Sequence, residues 1–197
     1  MIGFQMLKRI ERFHQMSHLH RDIKPDNFVV DSKNFNKIHI IDFGLARRYS
    51  QVINGRVEHI KMQQGKVFTG TVRYASINTQ KCITTSRRDD LESLAYVLIY
   101  FMKGSLPWQQ IPKPSTTGIT SKQRKEMILE LKMSLSIAEL CKDLPFGFHK
   151  FLKCCRETRF EEPPRYSYLR FILEDMFRTR AYEMDQKFDW NLVQECN

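Results

Sequence analysis

Apolar positions along the chain keep a helical period over most of its length and a strand period only near the start. In residues 1–16, Met6, Ile10 and Phe13 recur at helical spacing with Leu7 beside them, which predicts a helix. Residues 17–27 are polar and contain Pro25, so they read as a loop. Two short β-type runs, FVV at 28–30 and KIHII at 37–41, flank the polar stretch DSKNFN and predict a small hairpin. Residues 42–88 hold scattered glycines and little periodicity, and so read as a long irregular segment of the kind that carries function. Residues 89–102 are apolar nearly all round and predict a buried helix. Pro107, Pro112, Pro114 and Gly118 then interrupt the pattern. Further helices are predicted over 121–133, with Ser121 as N-cap, and over 136–141, 145–156 and 166–179, separated by Pro145 and by Pro163–Pro164. The expected fold class is mainly α with a small β-hairpin region.

Length and composition narrow this picture. A chain of 197 residues fits one domain, and 42% apolar with 27% charged residues describes a globular protein rather than a disordered one. The most apolar run, LAYVLIYFM at 94–102, is far too short to span a bilayer. The five cysteines, Cys82, Cys141, Cys154, Cys155 and Cys196, form no CxxC pair, so a disulfide framework and a zinc site are both disfavoured. The start, MIGFQMLKRIERF, lacks the apolar core of a secretion signal, and the expectation is an intracellular protein, cytoplasmic or nuclear, with no membrane partner. The net charge of +10 points to an acidic partner. Between Arg47 and Arg88 there are nine Lys or Arg and one acid, Glu58, which predicts a positive cleft in the irregular segment. No nucleic-acid motif accompanies the charge, so nucleic acid is the less favoured partner.

Two motifs carry candidate chemistry. HRDIKPDN runs from His20 to Asn27, and DFG follows at Asp42–Gly44. In this order, with KPxN in place and a hairpin between them, they resemble the catalytic loop and metal-binding motif of protein kinases. Phosphoryl transfer asks for positioning and charge neutralisation rather than covalent work. Asp22 suits the carboxylate that orients a substrate hydroxyl and accepts its proton. Asn27 and Asp42 offer hard oxygens for Mg²⁺, which takes few ligands from protein. Lys24, two residues after Asp22, suits a point charge on the transferred phosphoryl group. His18 and His20 have no companion cysteine or carboxylate that completes a metal site, and His20 reads as a structural member of the loop.

The resemblance then narrows. GTVRYASIN at 70–78 stands where most kinases have A-P-E, and SRRDDLESLAYVL at 86–98, GSLPWQ at 104–109, KMS at 132–134, ELCKDLP at 139–145, RFEEPP at 159–164 and FDW at 188–190 follow. Together these resemble the casein kinase 1 family over essentially the whole chain. The resemblance implies a serine/threonine kinase that uses ATP and Mg²⁺ on acidic or already phosphorylated protein substrates. It assigns Asp22 and Lys24 to catalysis and Asn27 and Asp42 to the metal. His20, Arg21 and Asp90 would support the catalytic loop, Asp90 from within the apolar helix, and Arg73 and Arg124 would bind the substrate's anion. Departures are Ala95 for Gly, Val72 for Ala, Gln110 for Gly, Arg165 for an acid and a short insertion around 113–118.

In a whole kinase a glycine-rich loop, a strand lysine and a helix glutamate precede HRD. Here HRD begins at His20, and the eight glycines form no GxG. The expectation is therefore a kinase C-terminal lobe over 1–197, lacking its N-terminal lobe as a partner. Within it, 1–19 would be the helix before the catalytic loop, 20–27 that loop, 42–78 the activation segment and 79–197 a helical subdomain. Such a chain is expected to bind ATP poorly and to be inactive alone. The alternative is a non-catalytic module that binds acidic or phosphorylated partners.

Overall fold

The computed structural model describes residues 1–114, 118–183, 185 and 188–192. Helix α1 (Ile2–Gln15) buries Met6, Leu7, Ile10 and His14 along one face. Strand β1 (His18–Leu19) leads into a polar loop that ends in a 3-10 turn at Pro25–Asn27, where Pro25 opens the turn as its first residue. Strands β2 (Phe28–Val30) and β3 (Ile38–Ile40) form the predicted antiparallel hairpin, with Phe28 opposite Ile40. Strand β4 (Arg47–Arg48) returns to pair with β1, so the two motif loops are tied side by side. Strands β5 (Ser50–Ile53) and β6 (Arg56–His59) make a second hairpin.

Helices build the rest: α2 (Ile77–Gln80), α3 (Arg87–Lys103), a 3-10 turn at Pro107–Gln110, α4 (Ser121–Ser134), α5 (Ile137–Leu140), α6 (Phe146–Glu157), α7 (Tyr166–Arg178) and α8 (Asp189–Leu192). Helix α3 is the axis. It is buried on all sides from Asp89 to Ile99, with α1 and α6 packed against it and α7 closing over α1 and α6. Met6, Ile10, Leu94, Tyr96, Ile99, Trp108, Phe151, Leu152 and Ile172 sit in one continuous core. The mainly α fold class is as the pattern predicted. Among the described residues no helix is long and apolar enough to cross a membrane.

Three expectations needed correction. The 42–88 segment holds strands β4, β5 and β6 and helix α2 rather than continuous loop. The β5–β6 turn is Asn54–Gly55, both at positive φ (50° and 76°), the pairing a two-residue hairpin turn demands. The α4 cap is Thr120, whose hydroxyl accepts from the Gln123 amide at 3.1 Å; Ser121 is the first helical residue. The apolar run at 94–102 is buried only as far as Ile99, and Phe101 and Met102 emerge half-exposed at the helix end. Cys82, Cys141, Cys154 and Cys155 are free thiols, while Cys196 and part of the 113–118 insertion lie outside the described residues. The FDW element packs back on the first hairpin: Trp190 stacks on Phe188 and donates its indole N–H to the Phe35 carbonyl at 2.9 Å.

Candidate active site

The HRD loop must present polar groups while resting on an apolar helix. Asp90, 3% exposed in the first turn of α3, makes that possible. One carboxylate oxygen accepts from the His20 amide at 2.8 Å and from His14 Nε2 at 2.9 Å; the other accepts from the Arg21 amide at 2.9 Å. Burial pushes the Asp90 carboxyl up, but the His14 bond and the two amides outweigh it and leave the group below its usual range. With Nε2 donating to Asp90, His14 Nδ1 accepts from the Tyr166 hydroxyl at 2.6 Å. The hub therefore joins α1, the loop, α3 and α7. It holds Arg21 in the left-handed region at φ 67°, which a non-glycine residue rarely adopts. His20 is buried and donates from Nε2 to the Ile41 carbonyl at 3.0 Å, which fastens the HRD loop to the DFG loop. Phe43 lies edge-on to His20 and stacks on Phe13.

Asp22 follows immediately. One carboxylate oxygen accepts from the Thr71 amide at 2.8 Å, and the other lies 2.8 Å from Lys24 Nζ. The bond to Asp22 raises the Lys24 pKa; partial burial opposes it, and the charges of Asp22, Asp26 and Asp42 add to the rise. Thr71 comes this close because Gly70 precedes it. Gly70 sits at φ 97°, and a Cβ there would lie 2.5 Å from the Arg21 carbonyl oxygen.

Asn27 is buried, and its Nδ2 donates to the Asp22 carbonyl at 2.9 Å, so its Oδ1 remains as an acceptor. The hairpin sets Asn27 against Ile41, whose amide donates to the Asn27 carbonyl at 2.9 Å. Asp42 is the next residue. It is exposed, with φ 63°, and one oxygen accepts from the Gly44 amide at 3.3 Å. One amide oxygen and one carboxylate fit Mg²⁺, which would take its remaining ligands from water and phosphate.

A cleft of about 930 Å³ opens at Lys24, Asn27 and Thr71, without Asp22 or Asp42 in its lining, and Arg73, Lys113 and Arg124 also line it. Over residues 1–170 the sequence matches the protein kinase domain. The chain belongs to the protein kinase family. Its α-helical body is the kinase-like C-terminal-lobe fold, and the HRD and DFG loops meet across the β1–β4 ladder of that fold. The two arginines that the sequence singled out both reach the kinase cleft, Arg124 with its Nε bonded to the Pro112 carbonyl at 3.0 Å. Of the nine basic residues between Arg47 and Arg88, only Arg73 lines it. The expectation of one broad positive cleft is therefore corrected. Arg87 and Arg88 instead hold the Glu161 and Thr158 carbonyls and stack on Tyr49 and Phe160.

Sequence reasoning missed His14, Tyr166 and Thr71. The first two are 152 positions apart, and no local pattern links them. Gly70, the first residue of the GTVRYASIN run, was the available signal for Thr71.

Proposed function

We propose that this kinase is a serine/threonine enzyme of casein kinase 1 type, acting on acidic or phosphorylated proteins. The placement of Asp22 carries the reading: a carboxylate fixed by the Thr71 amide and the Lys24 ammonium, at the edge of a cleft that holds Arg73 and Arg124. In this reading Asp22 orients the substrate hydroxyl and takes its proton, and Lys24 neutralises charge on the transferred group. Asn27 and Asp42 hold Mg²⁺, which supplies charge neutralisation at the ATP phosphates. His20, Arg21 and Asp90 keep the loop in position. Arg73 and Arg124 select an anionic group on the substrate, as fixed charges beside the reacting centre.

The 197 residues contain neither a glycine-rich loop nor a strand lysine before HRD. Losing one preorganised charge-stabilising group costs roughly 10²–10³ in rate. This polypeptide by itself is therefore expected to transfer phosphate negligibly, while still recognising the substrate's anionic group. Two measurements on the purified chain test the proposal. Calorimetric titration with a phosphoserine peptide is expected to show binding that Arg73→Ala weakens at least tenfold. No binding, or binding indifferent to Arg73, overturns the substrate class. Radiometric transfer from labelled ATP with Mg²⁺ is expected to be at background; turnover abolished by Asp22→Asn would overturn the inactivity and favour the enzyme reading for the chain alone. Binding without turnover is also what the non-catalytic alternative gives. Joining a kinase ATP-binding lobe separates the two, since only the enzyme reading then predicts Asp22-dependent transfer.

A further inference from the structure

Lysine is among the residues least often buried without a charged partner, yet Lys132 is 0% exposed. It projects from α4 into the core, where its ammonium stands 4.8 Å from the Trp108 ring centre and 5.1 Å from that of Tyr96. Its bonds go to backbone: Nζ donates to the Val72 carbonyl at 2.9 Å and to the Ala75 carbonyl at 2.7 Å. The carbonyl of Arg73, between them, accepts from the Trp108 indole N–H at 2.7 Å. Three carbonyls of a non-repetitive segment are thus turned inward and held by side chains from two other elements. At its other end the same segment is tied to the reacting centre. The Thr71 amide donates to Asp22, and the Thr71 carbonyl accepts from the Tyr74 and Ala75 amides, each at 3.0 Å. A continuous path of hydrogen bonds runs from Asp22 through Thr71 and Ala75 to Lys132.

Burying an ammonium costs free energy that an apolar side chain of the same length would avoid. Burial pulls its pKa down to about 7, with Glu92 opposing and Arg156 adding to the fall. Glu92 is already engaged by the Tyr96 hydroxyl at 2.6 Å and by Arg156, so it does not bond the lysine. What the lysine provides in return is placement of the segment. With its carbonyls pinned behind it, residue 73 must project its side chain forward, and Arg73 is exposed on the cleft.

We propose that Lys132, with Trp108, is a positioning residue: a buried clasp that holds residues 71–75 so that Arg73 faces the anion of the substrate and the Thr71 amide reaches Asp22. The inference rests on the cleft reading given above and adds a determinant of specificity that itself touches no substrate.

Hydrogen exchange by NMR and titration with inorganic phosphate test it, on wild type, Lys132→Met and Trp108→Phe. Lys132→Met is expected to speed exchange of the Tyr74 and Ala75 amides at least tenfold, while the amides of Leu94 to Ile99 in α3 keep their protection. Its phosphate affinity is expected to fall at least tenfold although Arg73 and Arg124 are intact. Trp108→Phe keeps a ring and loses one N–H, so it gives the same pattern at a smaller size and replaces Lys132→Met if that variant fails to fold. Unchanged exchange at Tyr74 and Ala75, or acceleration spread evenly through α3, overturns the clasp. A failure of the cleft reading shows separately, as phosphate binding that is absent from wild type or indifferent to Arg73→Ala. In that case the exchange at Tyr74 and Ala75 still decides the clasp.

Discussion

Replacing Asp90 by Asn tests how much the loop depends on one buried carboxylate. The exchange is nearly isosteric, but it converts one of two acceptor oxygens into a donor. If the amide oxygen faces His14 and His20, its NH₂ group meets the Arg21 amide across a separation that is 2.9 Å in the native protein. If it is flipped, the NH₂ group meets the His20 amide instead. Either orientation leaves one buried backbone N–H without an acceptor, at about 1–3 kcal/mol, and removes the charge that makes the remaining bonds worth ~1.5–3 kcal/mol each. A total loss of ~3–5 kcal/mol follows, the range for breaking a buried charged pair and a large part of the ~5–15 kcal/mol that a domain has. Urea unfolding followed by tryptophan fluorescence measures the loss. Exchange of the His20 and Arg21 amides locates it. Because the Asp90 pKa is lowered in the folded state, its contribution is present above the ordinary carboxylate pKa of about 3.9 and is lost as pH falls through the lower folded value. A loss under ~1 kcal/mol, or unaltered protection at His20 and Arg21, would refute the hub as the organiser of the loop.

Three further outcomes are expected. Gly70→Ala places a Cβ 2.5 Å from the Arg21 carbonyl at φ 97°, and calorimetry should show a melting temperature lowered by several degrees, from a strain of ~1–3 kcal/mol. The Lys132 pKa of about 7 lies below its ordinary 10.5, so the unfolded chain binds the extra proton between those values and stability rises with pH there. The stability difference between wild type and Lys132→Met should climb by up to ~1.4 kcal/mol per pH unit above pH 7 in parallel urea titrations; parallel pH curves would contradict this. Gly55→Ala should fray β5 and β6 by hydrogen exchange and leave global unfolding nearly unchanged, because Val52 and Val57 on that hairpin are 71% and 74% exposed.

The helices were legible because their information is local. The i, i+3, i+4 spacing of Met6, Leu7 and Ile10 is a property of neighbours, and so is the Phe28–Ile40 hairpin around its polar turn. The β5–β6 hairpin was also local, since Asn54–Gly55 is a strong turn signal, but its strands carry no buried alternation to draw the eye. The positions of Asp22, Asn27 and Asp42 followed from two motifs. What holds them there did not. His14 reaches Tyr166, Asp22 reaches Thr71, and Lys132 reaches Val72 and Ala75 only after α1, α4 and α7 have packed. Lys132 in particular reads as one more cation on a polar helix, and only burial distinguishes it from Lys122 or Lys125.

The same contrast explains why acids begin an otherwise apolar helix. Asp89, Asp90 and Glu92 are all 3% exposed, and each fastens a different part of the chain to the start of α3. Asp89 accepts from the Ser76 hydroxyl and the Ser86 amide, both at 2.7 Å, which fixes the end of the segment that carries Arg73. Asp90 fixes the HRD loop. Glu92 accepts from the Tyr96 hydroxyl and from Arg156, which fixes α6. The free N–H groups at a helix start favour carboxylates there, so the first turns of α3 are where buried acids cost least. The environments still separate them. Burial raises the Asp89 pKa to about 6, whereas the donors around Asp90 hold it down. The opposite directions order the two anchors: as pH falls, Asp89, at the end of the substrate-side segment, takes up its proton before Asp90 under the HRD loop. Three carboxylates within four consecutive positions thus fasten three separate parts of the chain, the end of the Arg73 segment, the HRD loop and α6, to the start of one buried helix.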